Sequence, residues 1–296
     1  MVLPIDETLK IGIQTIHREP DDQHGPWLPK IDELVEFVQL VDKSGFDSLW
    51  VGDHLSMPLP FFDPFQQLAQ AAVASRRLLL GTSVYLLPLR HPGPVAKQAI
   101  TLDHLSEGRL LFGVGIGGEF PKEYEVAGVP MNERGARLSE SIEVMRELWS
   151  GEPASYNGKF FKFSEVRMTP PPRQKNGPPI WCGGRKDVAF ERMGRLADGY
   201  VSYVVTPEMY RDALIKIEQA ANEAKRNIKN FGTGHLIFTR VDYNYEVALE
   251  TATKSLSKRY AMDFRRAAER YAAVSYTHLR AHETDSYLVC RLLLEK

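Results

Sequence analysis

Residues 78–118, LLLGTSVYLLPLRHPGPVAKQAITLDHLSEGRLLFGVGIGG, decide the fold. LLLGTSVYLLP (78–88) is a continuous apolar run of strand composition. Pro92 and Pro94 then open a helix, where a missing N–H costs little, and Gly108 closes it. LLFGVGIG (110–117) is a second apolar strand. Two buried strands joined through a helix are parallel neighbours linked by a right-handed crossover.

The same unit recurs on both sides. Upstream, KIGIQTI (10–16) precedes a helix carrying Leu34, Val38 and Val41 and ending at Gly45. SLWVGDH (48–54) precedes a helix over about 63–75. Downstream, Asn132 is a good N-cap for a helix that stacks Leu138, Ile142, Met145 and Trp149 on one face. Residues 151–177 interrupt the rhythm with Pro, Gly and aromatics, and Tyr156-Asn157-Gly158-Lys159 reads as a type I′ hairpin turn. Strands at 179–184, 199–205 and 234–241 follow, each with helical sequence behind it, the last to about Ala273. Seven units with an eighth expected imply an α/β fold, a closed (β/α)8 TIM barrel. The alternative, an open doubly wound sheet, needs short or polar edge strands, and the first and seventh strands are neither.

The remaining 274–296 carry no further unit. SYTHLRAHETDSYLVCRLLLEK resembles a translated sequencing adapter. It is read as a non-native artefact tail on a 1–273 barrel domain truncated before strand eight. Strands one and seven would then keep unpaired edges. His278, His282 and Glu283 imitate metal ligands there and are discounted.

A formal net charge of −1 over 296 residues argues against nucleic acid or an anionic membrane as partner. No apolar stretch approaches membrane-spanning length. The start lacks a signal-peptide pattern, and Cys182 and Cys290 make no disulfide framework. A cytoplasmic enzyme is expected, and no metal.

Active sites of such barrels lie at the C-terminal ends of the strands. Asp53 and His54 end the second strand, an acid and an imidazole able to touch a ligand and move a proton. Gly113, Gly115 and Gly118 form G-x-G-x-x-G, but in the fourth unit and running into Pro121, so a dinucleotide fingerprint is disfavoured. These glycines instead let backbone approach a flat ligand, with Glu119 facing the site as an acid. Gly183-Gly184-Arg185 before a helix is a phosphate-binding pattern. Arg134 and Arg137, with Glu133 and Glu140, read as ion pairs, Arg137 with Glu140. His17, His24, His91 and His104 are assigned structural roles.

SLWVGDH, the 78–120 segment, NERGARLSESIEVMRELW and PPIWCGGRKDVAFERMGRLADGY together resemble the luciferase-like monooxygenases over about 10–273. That family comprises (β/α)8 oxidoreductases that use flavin or deazaflavin. The resemblance implies coenzyme F-420 or FMN at the strand ends. It places Asp53 and His54 beside the ring, with His54 transferring protons and Glu119 as a second catalytic acid. Ser83 and Val84 match a non-proline cis peptide behind the ring. Gly117 and Gly118 match the loop beside it, and Gly183, Gly184 and Arg185 match the phosphate site. The implied activity is hydride transfer between a small organic substrate and coenzyme F-420, in a homodimer. The alternatives are an FMN monooxygenase using reduced flavin and O2, a non-catalytic flavin-binding homologue, and a metal-dependent hydrolase built on His54, Asp53 and Glu119.

Overall fold

In the computed structural model the described residues are 10–14, 30–57, 60–240, 244–260, 263, 265 and 289–295. Strands and helices alternate: β1 (Lys10–Gln14), α1 (Ile31–Lys43), β2 (Ser48–Val51), α2 (Pro64–Ala74), β3 (Leu79–Thr82), α3 (Pro92–Leu105) and β4 (Leu110–Val114). A short α4 (Pro121–Val126) precedes α5 (Arg134–Leu148). A hairpin of β5 (Ala154–Asn157) and β6 (Lys162–Val166) follows. The alternation resumes with β7 (Ile180–Gly183), α6 (Asp187–Leu196), β8 (Gly199–Tyr203), α7 (Pro207–Glu223), β9 (Gly232–Arg240) and α8 (Tyr245–Tyr260). The last described strand is β10 (Val289–Glu295).

The strands form a closed ring in the order β1-β10-β9-β8-β7-β4-β3-β2. Seven run parallel, as the repeated unit requires. The eighth place is taken by β10, which runs antiparallel to both β1 and β9. This corrects the expectation of two unpaired edges: β10 pairs from Lys10↔Glu295 to Gln14↔Arg291 on one side and with β9 on the other. A gap between two strands offers N–H and C=O rows that any extended apolar segment can satisfy. His278, His282 and Glu283 lie outside the described residues, as do His17 and His24.

Large and small residues alternate across the ring's interior. Trp50 and Trp181 meet there, ring centroids 5.9 Å apart. The space is left by glycines: a Cβ at Gly81 would lie 2.2 Å from the Trp50 ring, and one at Gly232 2.2 Å from the Trp181 ring. The larger core lies between the ring and its helices, around Leu68, Leu80, Ile100, Phe112, Leu138, Ile142 and Ile180. Cys182 belongs to it, and burial pushes its thiol up to about 12, so it packs rather than reacts.

Several local expectations are corrected. The third strand stops at Thr82, and the Ser83–Val84 peptide that follows is cis. Asn132 lies within a 3-10 turn (Met131–Glu133) rather than capping α5. The hairpin loop is wider than a type I′ turn: Gly158 N–H donates to Phe161 O, 2.9 Å. Buried Glu140 does not pair with Arg137. It accepts the Lys159, Phe160 and Phe161 N–H groups and so fixes that loop to α5. Arg137 pairs with Glu133 instead, 2.8 Å away. His91 accepts Gly93 N–H at the start of α3, and His104 bonds Pro171 O, so both serve structure.

Candidate active site

The loops after β2, β3, β4, β7 and β8 converge on one cavity of about 570 Å³ at the C-terminal end of the ring. Asp53, His54, Ser83, Val84, Gly117, Glu119, Gly183, Gly184 and Arg185 all line it. Gly118 is not in the lining but abuts Arg134, which is.

The floor is the cis Ser83–Val84 bulge. Its Val84 side chain lies between two glycines. A Cβ at Gly115 would come within 2.3 Å of Val84 Cγ2, and one at Gly183 within 3.3 Å of Val84 Cγ1. Ile116, Val201 and Leu236 extend this apolar surface, and Phe61 and Met57 flank it. Gly117 (φ +57°) and Gly118 (φ +119°) carry the chain past in left-handed conformations. Backbone and one branched side chain thus make a flat apolar cradle that added side chains would fill. It suits a planar ring.

Asp53 is buried beside the cavity, but its oxygens are committed inward. Oδ2 accepts Leu86 N–H at 2.8 Å, and both oxygens take Arg90, with Nη2 at 2.9 Å from Oδ1. The Arg90 guanidinium lies 4.3 Å over the Tyr85 ring. This buried bidentate pair ties the loop after β2 to the one after β3, so Asp53 shapes the floor.

His54 is held differently. Its Nδ1 lies 3.1 Å from Glu123 Oε1 and 3.3 Å from Oε2, and Phe61 and Phe120 meet its ring edge-to-face. Glu123 Oε1 also accepts Leu55 N–H at 2.7 Å and Ser56 N–H at 3.2 Å. Burial raises the Glu123 carboxyl, but the His54 hydrogen bond and charge, with the two backbone N–H groups, outweigh it and hold it below the ordinary carboxylate value. A carboxylate only accepts, so Nδ1 carries the proton and Nε2 is left to exchange one with a ligand.

Glu119 sits exposed at the rim, where Tyr203 Oη donates to its Oε1 at 3.3 Å. Arg185 lies 4.9 Å over the same Tyr203 ring. Sequence reading missed Glu123, Tyr203, Arg192 and the cavity position of Arg134. Glu123 lies on α4, a helix not expected after Pro121, and nothing in PKEYE separates a buried acid from a solvated one. Among the described residues no group of three metal-ligating side chains is gathered.

The chain matches the luciferase-like monooxygenase family over residues 9–290 and belongs to it. It is 34% identical over 162 residues to the oxygenase component of a flavin-dependent trigonelline monooxygenase from Acinetobacter baylyi. That match covers 54% of this chain and only 45% of the relative, so the chain spans less than half of that protein. It is 30% identical over 257 residues to an F420-dependent glucose-6-phosphate dehydrogenase from Microbacterium testaceum, covering 82% of this chain and 72% of the relative. Among solved structures it resembles a monooxygenase from Streptomyces bottropensis, with TM-score 0.69, 26% identity, and 81% and 76% of the two chains covered. An F420-dependent secondary alcohol dehydrogenase shares the fold, with TM-score 0.73, 21% identity, and 82% and 81% covered.

Proposed function

We propose that this chain is an oxidoreductase that moves a hydride between a small organic substrate and coenzyme F-420. The observation that carries the reading is the pairing of half-buried His54 with buried Glu123 beside a flat glycine-edged floor. Val84, Gly115, Gly117 and Gly183 would hold a tricyclic ring. Gly183, Gly184 and Arg185 would hold its phosphate, where backbone N–H groups precede α6. When bound, the ring supplies the redox chemistry.

The chain's own residues do the rest. Glu123 fixes the His54 tautomer. His54 Nε2 takes the proton of a substrate hydroxyl as the carbonyl forms, or returns it in reverse. Glu119, through Tyr203, holds charge at the rim. Phe61 and Phe120 keep water from the imidazole. The second reading is an FMN monooxygenase using reduced flavin and O2, which the trigonelline relative and the Streptomyces structure favour. A non-catalytic flavin-binding homologue is the alternative of another class. Fluorescence titration with coenzyme F-420 and with FMN tests these: tight binding of FMN alone would move the reading to oxygen chemistry, and binding without turnover would leave the non-catalytic one. His54→Ala should lower turnover far more than cofactor affinity. Unchanged turnover would remove His54 from the mechanism.

The proposed organisation is a barrel over 1–273, with the 151–177 excursion, and a non-native tail over 274–296. Support comes from β10, antiparallel where a (β/α)8 barrel has a parallel strand. Sequencing the source locus across codon 273 is the test; an intact reading frame through Lys296 would overturn it. A homodimer in the cytoplasm is proposed from the family alone. No helix among the described residues is long and apolar enough to cross a membrane.

A further inference from the structure

The cavity's lining divides by element. Among the described residues its lysine and arginines, Arg134, Arg185, Lys186 and Arg192, come from α5, α6 and the loop after β7. The loops after β2 and β3 bring a different set: Met57, Phe61 and Leu86 line the cavity alongside His54. The described residues of these two loops bring no cation to the lining except His54 itself. Arg90, beyond β3, is spent on buried Asp53.

This apolar wall is fixed in place. Phe61 packs on bare backbone, since a Cβ at Gly52 would come within 2.9 Å of its Cε1. Its ring meets His54 edge-to-face with centroids 5.0 Å apart, and Phe120 meets the same imidazole at 5.3 Å. Leu86 is buried in a small core with Tyr124, against which Val84 packs. The charge added here is negative: wholly buried Glu123 holds His54 Nδ1, and Glu119 puts a second carboxylate into the lining.

These neighbours restrict what can react at His54. Carbon substituents beside the reacting hydroxyl gain by leaving water for Phe61, Met57 and Leu86. Further hydroxyls would lose water there without a strong hydrogen-bond partner among those side chains. A phosphate or carboxylate would be repelled by Glu123 and Glu119.

We infer that the substrate is an uncharged, apolar alcohol or the carbonyl compound formed from it, selected by the wall of Met57, Phe61 and Leu86, with Phe61 as the specificity-determining residue. The inference rests on the proposed hydride-transfer reading. In that step the carbinol C–H leaves as a hydride, with its electron pair, to the bound ring; the hydroxyl proton passes to His54 Nε2, and a C=O bond forms.

Three probes share one ring skeleton and differ in polarity and charge: cyclohexanol, myo-inositol and myo-inositol 1-phosphate. Saturation-transfer NMR on the full chain reads their binding without cofactor or turnover. Cyclohexanol should bind, and the other two should bind about tenfold more weakly or less. No binding of cyclohexanol, or equal binding of all three, would overturn the inference. Phe61→Ala should weaken cyclohexanol binding about tenfold or more. Phe61→Leu keeps apolar filling and should lose less, which separates the wall from a misfolded loop. Equal losses in the two variants, or no loss in either, would remove Phe61 from selection.

Adding coenzyme F-420 separates this inference from the reading it rests on. Cyclohexanol should reduce the cofactor, and the two inositols should not. Phe61-dependent binding of cyclohexanol with no reduction by any of the three would refute hydride transfer while the apolar selection beside His54 stands. Reduction by myo-inositol 1-phosphate in preference to cyclohexanol would keep hydride transfer and overturn the selection.

Discussion

Replacing Glu123 by Gln should change which nitrogen of His54 carries the proton while leaving the fold in place. Oε1 accepts from Leu55 N–H and Ser56 N–H as well as facing His54 Nδ1. A glutamine carbonyl placed there keeps both backbone bonds. Its amide then occupies the Oε2 position, 3.3 Å from Nδ1. An amide N–H needs an acceptor, so Nδ1 must give up its proton and Nε2 must take it. Nε2, the nitrogen that Glu123 does not hold, changes from base to donor. A charge-assisted hydrogen bond becomes a neutral one, which costs about 1–2 kcal/mol of stability. Turnover should fall by about a hundredfold or more, the scale of general base catalysis, with cofactor affinity little changed.

Nitrogen NMR of the histidine ring reads the tautomer directly and needs no cofactor. Wild type should show a protonated Nδ1, and E123Q a protonated Nε2. The same tautomer in both, or an unchanged pH–rate profile in E123Q, would refute the assigned role. The pair also has a signature on stability. The depressed Glu123 pKa means that the folded protein binds this proton less readily than the unfolded chain does. Its contribution is complete above roughly pH 4–5 and disappears as pH falls through the lower folded value. E123Q should flatten that part of the acid limb in urea denaturation.

Other expectations follow from neighbouring contacts. Arg90→Ala leaves the Asp53 carboxylate buried with only the Leu86 N–H, and should cost about 3–5 kcal/mol in urea denaturation; a loss under about 1 kcal/mol would mean that water reaches Asp53. Gly113→Ala would put a Cβ 1.9 Å from Thr82 O, a backbone atom of the adjoining strand, and should cost about 3 kcal/mol. Gly93→Ala, which meets only the movable His91 ring at 3.3 Å, should stay within about 1 kcal/mol, and equal effects at the two sites would discredit the close approach. Gly183→Asp places a carboxylate beside Val84 at the end of β7, and should weaken cofactor binding without unfolding the chain; unchanged affinity in the same fluorescence titration would discredit that phosphate loop.

What the sequence determined by itself is the repeated unit and its consequence. Short apolar strands followed by amphipathic helices can bury both faces of a parallel sheet in few ways, so the ring and the end that carries the cavity were legible. The cavity positions of His54, Glu119 and Gly183–Arg185 were legible for the same reason: each lies at or shortly after the C-terminal end of a strand. The tertiary structure decided whatever depends on groups distant in the chain. Glu123 reaches His54 across 69 residues. Asp53 lines the cavity and is also anchored by Arg90, 37 residues on, which folds back over it. Arg192 on α6 reaches Ser139 on α5, 53 residues away, only where the two helices pack. Hydrophobic periodicity is local and survives in one dimension, whereas the partner of a polar group is fixed by which loops the closed ring brings together.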